Sequence, residues 1–288
     1  WIPASAGMTE ECMSLHLPPL GMGTWGMGGK FEEDSTNFDE SVEALRFGFD
    51  LGIRLVDVAE LHGGGLTEKI VGEAIKGYPR GEIQIISKVS RDHLKYDEVL
   101  KAAEGSLKRL GVNFIDLYLV HKLPPGVLEP ATETLSALER LLKDGLVRHI
   151  GVSNFTESQL KKAQSYLTEA RIEANEIEYN LLFQKAGDEV APFCRKEGIH
   201  RIAHRPLAKG ALAKGETNVL DTLSQKYNKT PAQMALNFII TQGMTAIPKA
   251  SEREHLQENV GALGWRMETG DIELLRALDG SAPYEKIK

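Results

Sequence analysis

Eight apolar runs of four to seven residues alternate with longer segments whose apolar residues recur at helical spacing. The runs, candidate strands, are 20–25, 54–58, 83–89, 114–120, 147–152, 174–179, 200–203 and 244–248. Short, nearly continuous apolar runs suit strands covered on both faces, as in a parallel sheet. Helices are predicted at 41–51, 68–75, 96–110, 132–142, 157–167, 188–196, 218–227 continuing over 231–241, 251–263 and 271–278. The segment 96–110 sets Val99, Leu100, Ala103, Leu107 and Leu110 on one face, and Ser251-Glu252-Arg253-Glu254 reads as a capping box. Strict alternation without a Pro/Gly/Ser-rich linker predicts an α/β chain forming a single-domain (β/α)8 TIM barrel over 13–288, with a disordered tail over 1–12. The rival is a doubly wound open sheet, which usually carries G-x-G-x-x-G after its first strand. Here Gly21-Met22-Gly23-Thr24-Trp25-Gly26 overlaps the strand itself and leads into a long loop, which favours the barrel.

The bulk numbers exclude more than they assign. A net charge of -7 argues against a nucleic-acid partner, whose phosphates require a basic face. No apolar stretch approaches the ~18–20 residues of a membrane span, and the opening residues lack the basic and apolar regions of a secretory signal. Two cysteines, Cys12 and Cys194, are too few for a disulfide framework and fit a reducing cytoplasm. Oligomeric state is left open.

Chemistry concentrates where the strands end. Asp57 follows the second run, with His62 five residues on; Lys88 and His121 close the third and fourth. Ser153, Asn154, Glu176, His204 and Lys249 fall at later strand ends. In a barrel these ends share one face, which is where barrel active sites lie. Singly, each has a plainer role: Asp57 as a cap, His121 as a hydrogen-bonded rim histidine. A lysine ending an apolar strand needs a partner, and Asp57 is the natural one. Several titratable groups in one cleft mark a site better than any one of them does.

These residues resemble the aldo-keto reductases. The resemblance is carried by 57–63 (Asp-Val-Ala-Glu-Leu-His-Gly), Ser87-Lys88, the run 116–121 ending in His121, 151–155 (Gly-Val-Ser-Asn-Phe), 175–180 (Asn-Glu-Ile-Glu-Tyr-Asn) and 247–251 (Ile-Pro-Lys-Ala-Ser), in order along the chain. It implies a (β/α)8 barrel that binds NADPH and reduces a small carbonyl substrate, an aldehyde or ketone, by hydride transfer. On that resemblance Asp57 and Lys88 form the ion pair that tunes the proton donor, and His121 orients the carbonyl. Ser153, Asn154 and Glu176 meet the nicotinamide carboxamide, His204 stands where a ring stacks on the nicotinamide, and Gly23, Thr24 and Trp25 line the cofactor. Lys249, Ser251 and His255 meet the ribose phosphate, and Glu258 and Asn259 the adenine. Glu252 and Glu254, in the same turn, would oppose that phosphate if they pointed inward.

Five positions depart from the family pattern. His62 occupies the place of the tyrosine acid, His204 that of the stacking tyrosine and Glu176 that of a glutamine. Lys122 replaces a common tryptophan and His255 an arginine. Histidine, with a pKa of ~6.5, is a competent acid only when protonated; Lys88 disfavours that form and Asp57 favours it. Three functions follow: a hydride-transferring reductase with an altered acid, an NADP- or ligand-binding barrel with little turnover, and a metal site built from His62, His121, Glu176 and His204. Lys88 in the cluster weighs against the third, because it would repel a cation.

Overall fold

The apolar runs pair as eight parallel strands in unbroken chain order. They are β1 (Met22–Gly23), β2 (Leu55–Asp57), β3 (Gln84–Val89), β4 (Ile115–Val120), β5 (Val147–Ser153), β6 (Ala174–Glu178), β7 (His200–His204) and β8 (Thr245–Ala246). This computed structural model describes residues 14–214 and 218–278; the tail expected over 1–12 lies outside them. The last strand returns to the first. Gly21 N–H donates to Ala246 O at 2.9 Å, Gly23 N–H to Pro248 O at 3.0 Å, and Ala246 N–H to Pro19 O at 2.9 Å. The described chain is therefore a closed, single-domain (β/α)8 barrel.

The helices are α1 (Phe38–Asp50), α2 (Leu66–Ala74), α3 (Tyr96–Leu110), α4 (Thr132–Lys143), α5 (Glu157–Tyr166), α6 (Lys185–Glu197), α7 (Asn218–Tyr227), α8 (Pro231–Thr241), α9 (Arg253–Val260) and α10 (Thr269–Arg276). None of them is long and apolar enough to cross a membrane. The helix 96–110 has the predicted bounds, ending where Gly111 adopts φ 66. Two expectations change. The strand at 20–25 contracts to Met22–Gly23, because only these residues ladder with Val56 and Asp57 before the chain turns away. The capping box at 251–254 does not form: α9 starts at Arg253 with Glu252 as its N-cap and no side-chain cap bond. The Ser251 hydroxyl instead accepts from Lys249 Nζ at 3.1 Å.

Strand side chains alternate between faces. Leu55, Ile86, Leu117, Leu119, Ala174, Ile202 and Ile247 pack together inside the barrel. The other parity, including Val56, Ile85, Tyr118, Val120 and Val152, packs against the helices. Two residues beyond Leu55, Ile86, Leu119, Ala174, Ile202 and Ile247 stand Asp57, Lys88, His121, Glu176, His204 and Lys249. An apolar plug thus lies directly beneath a polar layer at the C-terminal mouth. Gly151 belongs to the plug's level, where an added Cβ would lie 2.6 Å from Ala174 O and 2.7 Å from Leu119 Cδ2. Gly151→Ala should lower stability by about 1–3 kcal/mol through overpacking, read as a lower urea midpoint; an unchanged midpoint would show that the plug has slack.

Candidate active site

Lys88 is the pivot of the polar layer. It is 1% exposed, its ammonium bonded to Asp57 Oδ1 and lying 3.2 Å from Glu176 Oε2 and 3.3 Å from Val58 O. Burial alone would discharge the amine, but the carboxylates of Asp57 and Glu176 outweigh it and raise the lysine's pKa. One cation cannot balance two buried carboxylates. Burial, and then the Asp57 charge, push Glu176 up to about 8, so that it carries a proton at neutral pH; burial also raises Asp57 against the pull of Lys88. Glu176 Oε2 is buried and, apart from the ammonium, has no hydrogen-bond partner. Sequence reasoning paired Lys88 with Asp57 alone. The available signal for Glu176 was its place two residues beyond Ala174, on the same strand face.

His62 reaches this layer from a loop rather than a strand. It opens a 3-10 turn, His62–Gly65, in which Gly63, Gly64 and Gly65 all have positive φ. At Gly63 a Cβ would meet Gly28 O at 2.3 Å, so both conformation and space demand glycine. The turn holds the imidazole 5% exposed, its ring centre 5.0 Å from the Trp25 ring edge-to-face and 6.0 Å from that of His121. Its Nδ1 is buried without a partner. Burial, then Lys88, then His121 hold its pKa well below the usual histidine value. Burial with Lys88, Lys122 and Arg91 brings His121 to about 3, and burial with Lys88, Arg205 and His121 brings His204 to about 3. All three imidazoles are therefore neutral at pH 7. Asp57, which would favour the charged form of His62, is itself neutralised by Lys88.

The remaining predicted residues form two groups. Ser153, Asn154 and His204 join the central cluster: Asn154 Nδ2 donates to Ser153 Oγ at 2.9 Å, and His204 Nε2 lies 3.0 Å from Asn154 Oδ1. Asn154 holds φ 60, and its N–H donates to Glu176 O at 2.7 Å, which fixes this corner against β6. Thr24 is buried with its hydroxyl bonded to Asp57 O at 2.7 Å, and Trp25 covers His62. The second group lies at the rim, where Gly23 bridges to Lys249 and Lys249 reaches Ser251. Farther out on α9, His255 is exposed and 3.6 Å from Glu252, Glu258 is half-buried and Asn259 is buried. Glu252 thus turns to His255, and neither it nor Glu254 pairs with Lys249 among the described residues. No three His, Cys, Asp or Glu side chains among the described residues are grouped to hold a metal ion.

Residues 19–279 match the model of the aldo/keto reductase family. The chain is 33% identical over 272 residues to methylglyoxal reductase YeaE of Escherichia coli K12, covering 93% of each protein. It is 34% identical over 279 residues to glyoxal reductase of Bacillus subtilis, covering 94% of this chain and 93% of that one. Among solved structures, the thermostable aldo-keto reductase Tm1743, crystallised with the inhibitor epalrestat, superposes with a TM-score of 0.86 at 36% identity, over 91% of this chain and 95% of that one. An aldo/keto reductase of Klebsiella pneumoniae in complex with NADP and acetate gives 0.82 at 30% identity, over 92% of each.

The proton on Glu176 has a consequence for stability. Its folded pKa of about 8 lies above the ~4.3 of an unfolded glutamate. Its contribution is therefore fully present below pH ~4.3 and is lost as pH rises through about 8. Glu176→Gln removes that slope. In thermal melts the variant should gain on the parent progressively between pH 5 and 8 (the window set by those two values). A gap that stays constant across the window would show that Glu176 is ionised in the folded protein.

Proposed function

We propose that this chain, which belongs to the aldo/keto reductase family, is an NADP-dependent oxidoreductase that reduces small aldehydes and ketones with His62 in the acid's position. The single observation carrying this reading is the His62 imidazole, buried beside His121 over the Lys88–Asp57–Glu176 cluster. Methylglyoxal and glyoxal are the first substrates to try, because relatives at 33% and 34% identity are named for reducing them. The free, buried Cys194 is consistent with a cytoplasmic setting.

The residues present fit the cofactor. Lys249 and Ser251 would hold the ribose phosphate, a cation and a hydroxyl 3.1 Å apart and clear of Glu252. Ser153, Asn154 and Glu176 would hold the nicotinamide carboxamide. Protonated Glu176 offers one donor and one acceptor, as the family's glutamine does. NADPH, when bound, supplies the hydride. His62 and His121 would turn N–H groups toward the carbonyl oxygen and polarise it, while the plug below and Trp25 above exclude water. The alkoxide still needs a proton. Lys88 is tied to two carboxylates, both imidazoles are neutral and the Glu176 proton is committed to the carboxamide, so proton donation to the alkoxide is inefficient and turnover is slow.

Two measurements test the reading. NADPH should quench tryptophan fluorescence through Trp25, which is 39% exposed at the mouth. Lys249→Met should weaken NADPH about tenfold or more while leaving NADH unchanged, as expected for one charge-assisted phosphate contact; equal loss for both would remove Lys249 from the phosphate site. The second is a pH profile of methylglyoxal reduction. His62 is depressed well below 6.5, so kcat should keep rising as pH falls from 8 to 5.5, without a plateau near 6.5. His62→Tyr should be faster by roughly 10²-fold or more and flat over that range. Quenching without turnover at any pH in either protein would instead support a binding barrel.

A further inference from the structure

A cleft of about 490 Å³ opens on the outer side of the barrel, lined by Asp188, Arg195, Arg201, Gln242 and Arg276 among others. It is not part of the mouth. Arg201 is the second residue of β7, three residues before His204, which places it about 10 Å nearer the N-terminal end. It has the parity opposite to Ile202, so it points away from the lumen into the layer between α6, α8 and α10. At this end of a barrel, residues ordinarily serve stability alone.

Arg201 is not explained by stability. It is 6% exposed, and its guanidinium donates to Gln242 O at 3.1 Å. Arginines this deeply buried are ordinarily paired, but among the described residues neither Arg201 nor the exposed Arg195 has an ion-pair partner. Asp188, the carboxylate on the wall, accepts from the Tyr179 hydroxyl at 3.1 Å and pairs with Arg276 at 3.4 Å. Arg276 also reaches Glu273 at 3.5 Å and Gln242 Oε1 at 2.7 Å. Counting Asp188 and Glu273 against the three guanidiniums, the cleft keeps positive charge, and Arg195 and Arg201 hold it with donors to spare. Burial works against the charged form of Arg201, Arg195 adds to the effect and Asp188 offsets it only in part, so the site gains from an anion.

We propose that this cleft binds a small phosphate-bearing anion between Arg201 and Arg195, at a site separate from the cofactor's. A guanidinium's planar fork suits phosphate oxygens, and the volume suits a small metabolite more than a bare ion. The probes are inorganic phosphate and glycerol 3-phosphate, which has no carbonyl and so cannot be a substrate for reduction. Equilibrium dialysis of the full chain at low ionic strength is compared across the parent, Lys249→Met, Arg195→Gln and Arg201→Gln. Binding should persist in Lys249→Met, which removes any phosphate held at the cofactor rim. Affinity should fall about tenfold or more in Arg195→Gln, an exposed change that leaves fold and NADPH quenching intact, and further in Arg201→Gln. Tighter binding of the ester identifies a phosphorylated metabolite, and equal binding identifies free phosphate. Loss of all binding in Lys249→Met, or undiminished binding in Arg195→Gln, would overturn the site; neither result bears on the reductase reading.

Discussion

One ammonium is asked to neutralise two carboxylates in a buried place. Lys88 sits at the top of an apolar plug with Asp57 on one side and Glu176 on the other. In a medium of low polarity the three cannot all be charged, because the second carboxylate would be left unpaired. The cluster meets the constraint by keeping a proton on Glu176. That proton leaves the cluster with one carboxylate charge against one ammonium. It also leaves the lysine's field to act on the imidazoles around it.

Burial, with that field second, decides what the histidines are. His62, His121 and His204 are each held neutral by burial first and by the Lys88 charge second. A neutral imidazole orients and polarises well but has no spare proton to give. A phenol in the same place is a different object, since a nearby ammonium makes it a stronger acid while it stays neutral and still holds the proton to be given. The same lysine that assists a tyrosine therefore disarms a histidine. On the proposed reading, His62 would therefore bear on rate and pH more than on binding.

Much of the fold could be read from the chain because barrel strands are buried on both faces. Ile85–Ile86 and Leu117–Val120 announce themselves as apolar runs, and the polar residues that end them are necessarily neighbours in a closed ring. The limits were physical. Apolar character runs on at both ends of the β1–β2 ladder, at Leu20 and Trp25, so the apolar run is longer than the strand it marks. Ser251 has the residue type of a cap but is claimed by Lys249, a contact set by where β8 ends. The direction of the His62 shift depends first on burial and then on Lys88, which requires the folded arrangement rather than order along the chain. Arg195 on α6 and Arg201 on β7 are close in sequence, but Arg276 lies far along the chain on α10, and only the fold brings the three together.

The seam between β8 and β1 is the thinnest part of the ring. Its two strands contribute two residues each, and three backbone bonds join their edges. The residues that meet there include Gly23 and Lys249, the two sides of the rim where a phosphate would rest. A ligand spanning that rim is therefore also a clasp on the barrel. On the proposed placement of the cofactor, part of its binding free energy would go into holding the cylinder closed at its weakest joint.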